Sequence, residues 1–220
     1  MKDEKVVQFY NTGYGIDVAI MRADDIDKKM LSYISELNIS KVPKVLDIGC
    51  GAGGQAVRMA QAGAQVLALD IHDFSTEFKL AREACNLSES QLLFAQEDVI
   101  NIETLLKDDF DMCALQRVLH YIPYEKARLV LKTLRQQISD RLYLTVTGLS
   151  SDIGKYYACA DSNIADRFCV LDKVGSGLFS IDKPMCLYTQ TELENLLSEC
   201  GWVVLESRVS AFGNIKVICT

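Results

Sequence analysis

The chain has 220 residues, of which 49% are hydrophobic and 24% charged, and these values are ordinary for one globular domain with a full core. Its net charge of -7 is poorly suited to binding a phosphate backbone, so we expect no nucleic-acid partner. No apolar run reaches membrane-spanning length and the N-terminus lacks a signal-peptide pattern, so we expect no membrane partner and a cytoplasmic protein.

The eight cysteines of the chain are expected to be reduced thiols. Cys50, Cys113, Cys200 and Cys219 lie in or beside apolar strand and turn patterns, where a thiol packs as a small hydrophobe. No C-x-x-C pair occurs in the sequence, so we expect no metal site.

Helix and strand patterns alternate along the chain. Asp24 and Asp25 give the first helix an acidic start, and Thr189 with Glu192 forms a capping box before the last helix. In chain order, the patterns predict a helix over 26–37, a strand over 44–48, a helix over 55–61, a strand over 65–69, a helix over 74–85, strands over 91–94 and 110–115, a helix over 124–138, a strand over 141–146, a helix ending at 200, and strands over 201–209 and 212–219.

This alternation indicates a parallel sheet, because each parallel crossover needs an intervening helix. The last two strands are joined by a short connection, which forces them to be antiparallel. Residues 148–188 form a connection of about 40 residues, a length that is usually functional or carries its own structure. The first half is roughly compatible with a helix through Ile153, Tyr157, Ile164, Phe168 and Leu171, and residues 175–177 (GSG) indicate a flexible stretch.

The most informative stretch is VLDIGCGAGG at residues 45–54. A strand runs here into glycines whose backbone can turn sharply and approach a ligand, and the following helix directs its N-terminal amides at that ligand. The spacing also matches the dinucleotide fingerprint, with Asp70 about twenty residues later, so an NAD-dependent oxidoreductase is an alternative. Asp47, just before the first glycine, argues against this alternative because an acid favours an amine-bearing ligand over a phosphate. The closing hairpin also leaves little room for a separate hydride-acceptor domain.

Residues 47–53 (DIGCGAG) resemble the first motif of the class I S-adenosylmethionine-dependent methyltransferases. Further segments resemble later motifs of this family in the right order: 68–71 (ALDI), 96–99 (QEDV), 110–123 (FDMCALQRVLHYIP), 188–202 and 212–216 (FGNIK). The resemblance implies an α/β fold, a Rossmann-like doubly wound sheet of seven strands that is mostly parallel with the last strand antiparallel. It implies one domain over 1–220, divided into an N-terminal lid and helix (1–40), a cofactor-binding core (44–147), an acceptor-site insertion (148–188) and a final helix and β-hairpin (189–220).

The resemblance also implies S-adenosylmethionine as the cofactor and assigns roles to particular side chains. Asp70 matches the acid that holds the ribose hydroxyls, Asp98 matches the acid at the adenine amino group, and Asp47 is expected near the ammonium group. Each of the three has a structural alternative, such as a helix cap or a bond to a turn amide. The full set expected at the cofactor is Tyr14, Asp47, Gly49, Cys50, Gly51, Gly53, Asp70, Ile71, Asp98, Val99 and Gln116.

A small-molecule acceptor is expected under the insertion, and transfer to oxygen or nitrogen is favoured over sulfur or carbon. His120 is a candidate base and Arg117 a candidate clamp for an acceptor carboxylate or phosphate, with a structural histidine and a solvated arginine as alternatives. Candidate substrate-binding residues are Tyr10, Tyr156, Tyr157, Arg167 and Phe168, with Phe179 covering the same pocket. A protein or nucleic-acid acceptor and a non-catalytic S-adenosylmethionine-binding protein are the remaining functional alternatives.

Overall fold

The computed structural model describes residues 12–15, 19–105 and 109–220. The strands in these residues are β1 (Lys44–Ile48), β2 (Gln65–Asp70), β3 (Leu92–Gln96), β4 (Phe110–Gln116), β5 (Ile138–Thr147), β6 (Val204–Val209) and β7 (Asn214–Cys219). The α-helices are α1 (Asp25–Leu37), α2 (Gly54–Gln61), α3 (Ser75–Cys85), α4 (Ile102–Leu105), α5 (Tyr124–Gln137), α6 (Lys173–Phe179) and α7 (Gln190–Glu199). Short 3-10 helices lie at Val99–Asn101, Leu119–Tyr121, Ile153–Tyr156 and Ile164–Asp166.

The strands form one seven-stranded sheet in the order β3-β2-β1-β4-β5-β7-β6. β1 to β5 pair in parallel, whereas β7 runs antiparallel to both β5 and β6. The predicted fold class, a Rossmann-like doubly wound sheet of seven strands with an antiparallel last strand, is confirmed. The strand order reverses between β1 and β4, and open α/β sheets bind ligands beyond the carboxyl ends of the strands at such a point.

Helices cover both faces of the sheet because successive residues of a strand point to opposite sides. Val45 belongs to a buried cluster with Met30 of α1 and Phe78 of α3 on one face. Its neighbour Leu46 belongs to a second cluster, with Leu131 of α5, on the other face. Fully burying one large apolar side chain contributes roughly 1.5–3 kcal/mol, so these two layers fix the positions of the strand ends.

Helix α1 is capped at its start and forms ion pairs with β7. The Asp24 side chain accepts from the amides of Ile26 and Asp27, while the Asp27 side chain accepts from the Asp24 amide, which completes a capping box. Lys216 of β7, only 8% exposed, lies 2.5 Å from Asp24 Oδ2 and also pairs with Asp25. The hydrogen bond from Lys216 lowers the pKa of Asp25 to about 2. The acidic helix start expected from the sequence therefore also orients α1 on the sheet.

The connection over 148–188 carries its own structure, but its elements differ from those predicted. Where hydrophobic spacing favours one helix, the chain forms the short 3-10 helices Ile153–Tyr156 and Ile164–Asp166. The GSG stretch, expected to be flexible, lies inside α6, and the Asp172 side chain caps this helix by accepting from Gly175 N at 2.7 Å. Tyr157, Leu171 and Met185 form a separate buried cluster of the insertion. Packing between its two ends therefore overrides the local helical period.

Candidate active site

The glycine turn after β1 depends on backbone angles that glycine adopts readily. Gly49 and Gly53 have φ of 70° and 87°, in the left-handed region that disfavours other residues. A Cβ at Gly53 would lie 2.8 Å from Cζ of Phe78, and a Cβ at Gly49 would collide with Cγ2 of Val118. Helix α2 begins at Gly54, directly after the turn, so its N-terminal amides lie beside it.

Asp70 at the end of β2 fastens the glycine turn to the neighbouring strand. Its Oδ2 accepts from Gly51 N at 2.9 Å, and its Oδ1 accepts from His72 N at 3.0 Å. The Nε2 atom of His72 is buried and has no hydrogen-bond partner in the part of the chain that the structure describes. Buried polar atoms are almost always hydrogen-bonded in proteins, so this atom suits a polar group of a ligand.

A cavity of 530 Å³ includes residues at the carboxyl ends of β1, β2 and β4 in its wall, and its volume lies within the roughly 300–1,000 Å³ typical of small-molecule sites. Eight of the eleven residues expected at the cofactor line it, namely Tyr14, Gly49, Gly51, Asp70, Ile71, Asp98, Val99 and Gln116. The sheet therefore brings the separate sequence motifs to one place.

The other three expected cofactor residues, Asp47, Cys50 and Gly53, do not line the cavity. Asp47 and Cys50 are only 4% and 5% exposed, because they lie inside the strand and the turn. Gly53 lies against the Phe78 ring. These three residues shape the turn, and their contact with the cofactor stays a prediction.

Asp98 lines the cavity and also caps the 3-10 helix that follows it. Its side chain accepts from Ile100 N at 3.0 Å. Asp98 therefore acts as a helix cap, as the structural alternative expected. Asp98 and Val99 also line the cavity wall.

Two consecutive residues at the end of β4 have different surroundings. Gln116 donates from Nε2 to Oδ1 of the buried Asp27 on α1, and burial raises the pKa of that carboxyl. Arg117 lines the cavity with a φ of 58°, and this left-handed conformation costs a residue with a Cβ about 1–2 kcal/mol. Its amide donates to Thr145 O at 2.7 Å, which holds the backbone in place. Residues strained in this way cluster at functional sites.

His120 lines the cavity but is held by its neighbours. The Thr147 amide donates to Nδ1 at 3.3 Å, and Thr147 Oγ1 lies 3.4 Å from Nε2. Burial, and secondly the charge of Arg117, lower the pKa of His120 to about 3. The ring is therefore neutral near pH 7 and a weak base. These contacts favour the structural alternative for His120 over proton transfer.

The N-terminal segment and the insertion meet at the cavity. Tyr14 pairs with Ile181 in an isolated antiparallel bridge. Its carbonyl accepts from the Tyr121 hydroxyl at 2.8 Å, and the two tyrosine rings pack edge to face with centroids 4.8 Å apart. Phe179 lines the same cavity, as expected for a covering residue. Tyr10, the other tyrosine expected at the substrate, lies outside the described residues.

The four candidate substrate residues of the insertion do not line the cavity. The Tyr157 hydroxyl donates to two backbone carbonyls of the insertion. Arg167, only 6% exposed, donates to Glu192 Oε2 at 2.8 Å. Tyr156 stacks edge-on within the insertion and Phe168 packs against the main core. These four side chains thus contact the framework of the protein in this structure, and their contact with a substrate stays a prediction.

Several residues line the cavity without being among the candidate site residues of the sequence. Thr147, Ile153, Leu178, Ile181 and Asn214 all line it, and they come from β5, the insertion and β7. Thr147 and Asn214 become neighbours only through the pairing of β5 with β7. The signal available in the sequence is that Thr147 directly follows the predicted strand over 141–146 and that Asn214 lies in the segment 212–216.

The structure joins Cys159 to Cys169 in a disulfide, which corrects the expectation that all eight cysteines are reduced. The other six are free thiols, and five of these are buried. The two bonded cysteines lie in the insertion, where Cys169 pairs with Met185 in an antiparallel bridge. Folding of the insertion thus brings together two residues that are ten positions apart.

The described residues contain neither a metal-binding cluster nor a membrane-spanning helix. In residues 12–15, 19–105 and 109–220, no group of three or more His, Cys, Asp or Glu side chains could hold a metal ion. No helix within the same ranges combines the length and apolar character needed to cross a membrane.

Comparison with protein families agrees with the geometry of the cavity. Residues 45–140 match the family model described as a methyltransferase domain. The matched residues make up less than half of the chain and include the glycine turn. This match favours the methyltransferase interpretation over the NAD-dependent alternative raised by the glycine spacing. No curated protein sequence is significantly similar to the chain.

Solved structures of methyltransferases share the fold of this chain at low sequence identity. Magnesium protoporphyrin IX methyltransferase from Synechocystis PCC 6803, solved with bound S-adenosylhomocysteine, is 19% identical with a TM-score of 0.64, over 88% of this chain and 80% of that one. The 1,6-didemethyltoxoflavin-N1-methyltransferase of Burkholderia thailandensis is 15% identical with a TM-score of 0.62, over 89% and 77% of the two chains. A methyltransferase from Clostridium acetobutylicum is 12% identical with a TM-score of 0.64, over 88% and 89%. These TM-scores establish a common fold, and fold alone does not assign a substrate.

Proposed function

We propose that this chain transfers a methyl group from S-adenosylmethionine to an oxygen or nitrogen atom of a small molecule bound in the 530 Å³ cavity. The observation that carries the proposal is the glycine turn held by Asp70 at the cavity wall, within residues that match a methyltransferase domain. The B. thailandensis N1-methyltransferase, which has a similar fold, was solved with its small-molecule substrate 1,6-didemethyltoxoflavin and S-adenosylhomocysteine.

The residues of the cavity fit this cofactor. The turn at Gly49 and Gly51 lines the cavity with bare backbone, which admits close approach of a ligand. Asp70 would hold the ribose hydroxyls, and the buried Nε2 of His72 offers a further polar contact. Ile71 would flank the adenine ring. When bound, the cofactor supplies a methyl group already activated on a positively charged sulfur.

The residues of the chain have to bring the acceptor close, align it and exclude water. Ile122, Ile153 and Phe179 give the cavity an apolar wall, and the bridge between Tyr14 and Ile181 joins the two segments that border it. His120 has a lowered pKa and is held by contacts with Thr147, so it acts as a positioning residue. The acceptor atom therefore has to present its lone pair without a base at this position.

A small acceptor fits the cavity better than a macromolecule. The segment 12–15 is hydrogen-bonded to residues 180–182 beside the cavity, and a protein or nucleic-acid chain would have to displace this junction. The net charge of -7 also disfavours an approaching nucleic-acid backbone.

Two measurements test the proposal. In calorimetric titration, we expect S-adenosylhomocysteine to bind with a micromolar dissociation constant, as is typical of a cofactor, and NAD to give no heat of binding. In an extract of the source organism, radiolabelled methyl from S-adenosylmethionine should enter the acid-soluble fraction. Label in the precipitate would instead identify a macromolecular acceptor. Binding of S-adenosylhomocysteine without any label would favour a non-catalytic protein, and absence of binding would reject the cofactor site.

A further inference from the structure

Arg117 is the only lysine or arginine among the described residues that line the cavity. Its backbone is held in the left-handed region, with a φ of 58°, by a hydrogen bond to Thr145 O. In the part of the chain that the structure describes, its guanidinium has no hydrogen bond or ion pair. A partly buried guanidinium at a cavity wall is matched to a ligand that brings an anion, because its planar fork binds carboxylates in a two-pronged way.

The charge of Arg117 acts at the end of the cavity where the N-terminal segment meets the insertion. Burial lowers the pKa of His120, and the charge of Arg117 lowers it further. Burial raises the pKa of Tyr121, and the same charge opposes that increase. Tyr121 in turn donates to the carbonyl of Tyr14. The side chain of the preceding residue, Gln116, is turned the other way, toward Asp27 on α1.

The walls at this end of the cavity are apolar. Ile122 and Ile181 are buried, and Phe179 is partly buried beside them. Leu178 lines the cavity although it is 63% exposed, so the rim is apolar as well. A ligand that pairs with the Arg117 guanidinium and packs against these apolar walls has a single negative group and an apolar body.

The charge count favours a carboxylate over a phosphate ester. A phosphate ester carries close to two negative charges near neutral pH, and Arg117 supplies one positive charge. Glu97 and Asp98 also line the cavity, and their carboxylates would repel a second negative charge. A monoanion is therefore the better match.

We propose that the methyl acceptor is a small organic acid with an apolar body, whose carboxylate is bound by Arg117. This inference rests on the proposed function and specifies the substrate class for the same cavity. The competing source of the carboxylate is the amino-acid part of the cofactor itself, which has the same chemistry. The two sources predict different consequences when the guanidinium is removed.

The first experiment uses the wild-type chain and identifies the charge of the acceptor. The acid-soluble extract of the source organism is passed over a quaternary-ammonium resin at about pH 8, where carboxylates are ionised. Each fraction is then assayed for methyl transfer from radiolabelled S-adenosylmethionine. We expect the acceptor to be retained by the resin and eluted by salt. An acceptor in the flow-through would overturn the inference while leaving the proposed function intact.

The second experiment compares Arg117→Gln with the matched control Lys126→Gln, which removes one positive charge from an exposed position on α5. On the retained fraction, we expect Arg117→Gln to lower kcat/KM by at least about 10-fold, mainly through KM, as for the loss of a charged hydrogen bond. The control should stay within about 2-fold of wild type. Equal activity of the two variants would overturn the inference.

Cofactor titrations separate the two sources of the carboxylate and also check that the variant is folded. We expect Arg117→Gln to bind S-adenosylhomocysteine as wild type does. If it loses affinity for S-adenosylhomocysteine but keeps its affinity for 5′-methylthioadenosine, which lacks the amino-acid group, Arg117 binds the cofactor and the inference is wrong. No label in any fraction, together with no binding of S-adenosylhomocysteine to wild type, would reject the proposed function and this inference with it.

Discussion

Replacing Asp70, the last residue of β2, by alanine should weaken cofactor binding. Its carboxylate accepts from Gly51 N at 2.9 Å and from His72 N at 3.0 Å, and it lines the cavity. A hydrogen bond to a charged group is worth about 1.5–3 kcal/mol. Loss of one such bond to the ribose would therefore raise the dissociation constant of S-adenosylhomocysteine by about 10- to 150-fold. Loosening of the glycine turn would add to this effect.

The matched control for this prediction is Asp73→Ala. Asp73 is exposed, accepts from Ser75 N at 2.9 Å before α3 and does not line the cavity. Asp73→Ala loses only this local cap, whereas Asp70→Ala loses the hydrogen bonds from both Gly51 N and His72 N, so its free energy of unfolding should fall further. Calorimetric titration of S-adenosylhomocysteine should then give a changed affinity only for Asp70→Ala. If Asp70→Ala binds as tightly as Asp73→Ala, the cofactor does not contact this carboxylate and the site is misplaced.

Three further predictions concern the framework around the cavity. Arg167→Met should lower the free energy of unfolding by up to about 3 kcal/mol, a value reduced because the carboxylate partner of Arg167 is 28% exposed. The affinity for S-adenosylhomocysteine should stay within about 2-fold of wild type. Unchanged stability with altered kinetics would indicate that Arg167 contacts the substrate. In urea unfolding, Gly53→Ala should destabilise the chain by at least about 1–2 kcal/mol, because the φ of Gly53 is 87°. Gly177→Ala should stabilise the chain by about 0.4–1 kcal/mol, because Gly177 lies in a helix and an added Cβ would meet nothing within 4 Å. Equal effects of the two variants would contradict the geometry of the turn. The hydrogen bond from Lys216 lowers the pKa of Asp25 from 3.8 to about 2, so the stabilising contribution of Asp25 is complete above pH 3.8 and is lost as the pH falls toward 2. The difference in urea midpoint between wild type and Asp25→Asn should shrink over that range. A constant difference would exclude this ion pair as its cause.

The placement of the cofactor motifs could be predicted because each motif coincides with a strand end. A strand followed by glycines, as at Gly49 and Gly51, announces a tight turn, and an acid such as Asp70 at the end of the next strand falls beside it in any parallel sheet. Period-2 and period-3.6 hydrophobicity located the strands and helices well enough to assign the sheet. These signals are local, so the sequence alone contains them.

The acceptor side could not be predicted in the same way. Aromatic and cationic residues of the insertion, such as Tyr157 and Arg167, suggested ligand contacts, but both side chains hold the insertion together. A buried arginine requires partners, and its partner Glu192 lies 25 residues away. The same holds for the disulfide between Cys159 and Cys169, because spacing does not reveal which thiols are brought together.

By itself, the sequence determined the α/β fold, the order of the cofactor motifs and the position of the glycine turn, because each depends on short-range periodicity or on a residue that tolerates a particular backbone angle. The tertiary structure decided which side chains share the cavity. It joined Tyr14 to Ile181 and held His120 against Thr147. It also turned Arg117 into a left-handed conformation at the cavity wall. Each of these arrangements depends on burial and hydrogen bonding between segments far apart in the chain, which residue types and spacing do not specify.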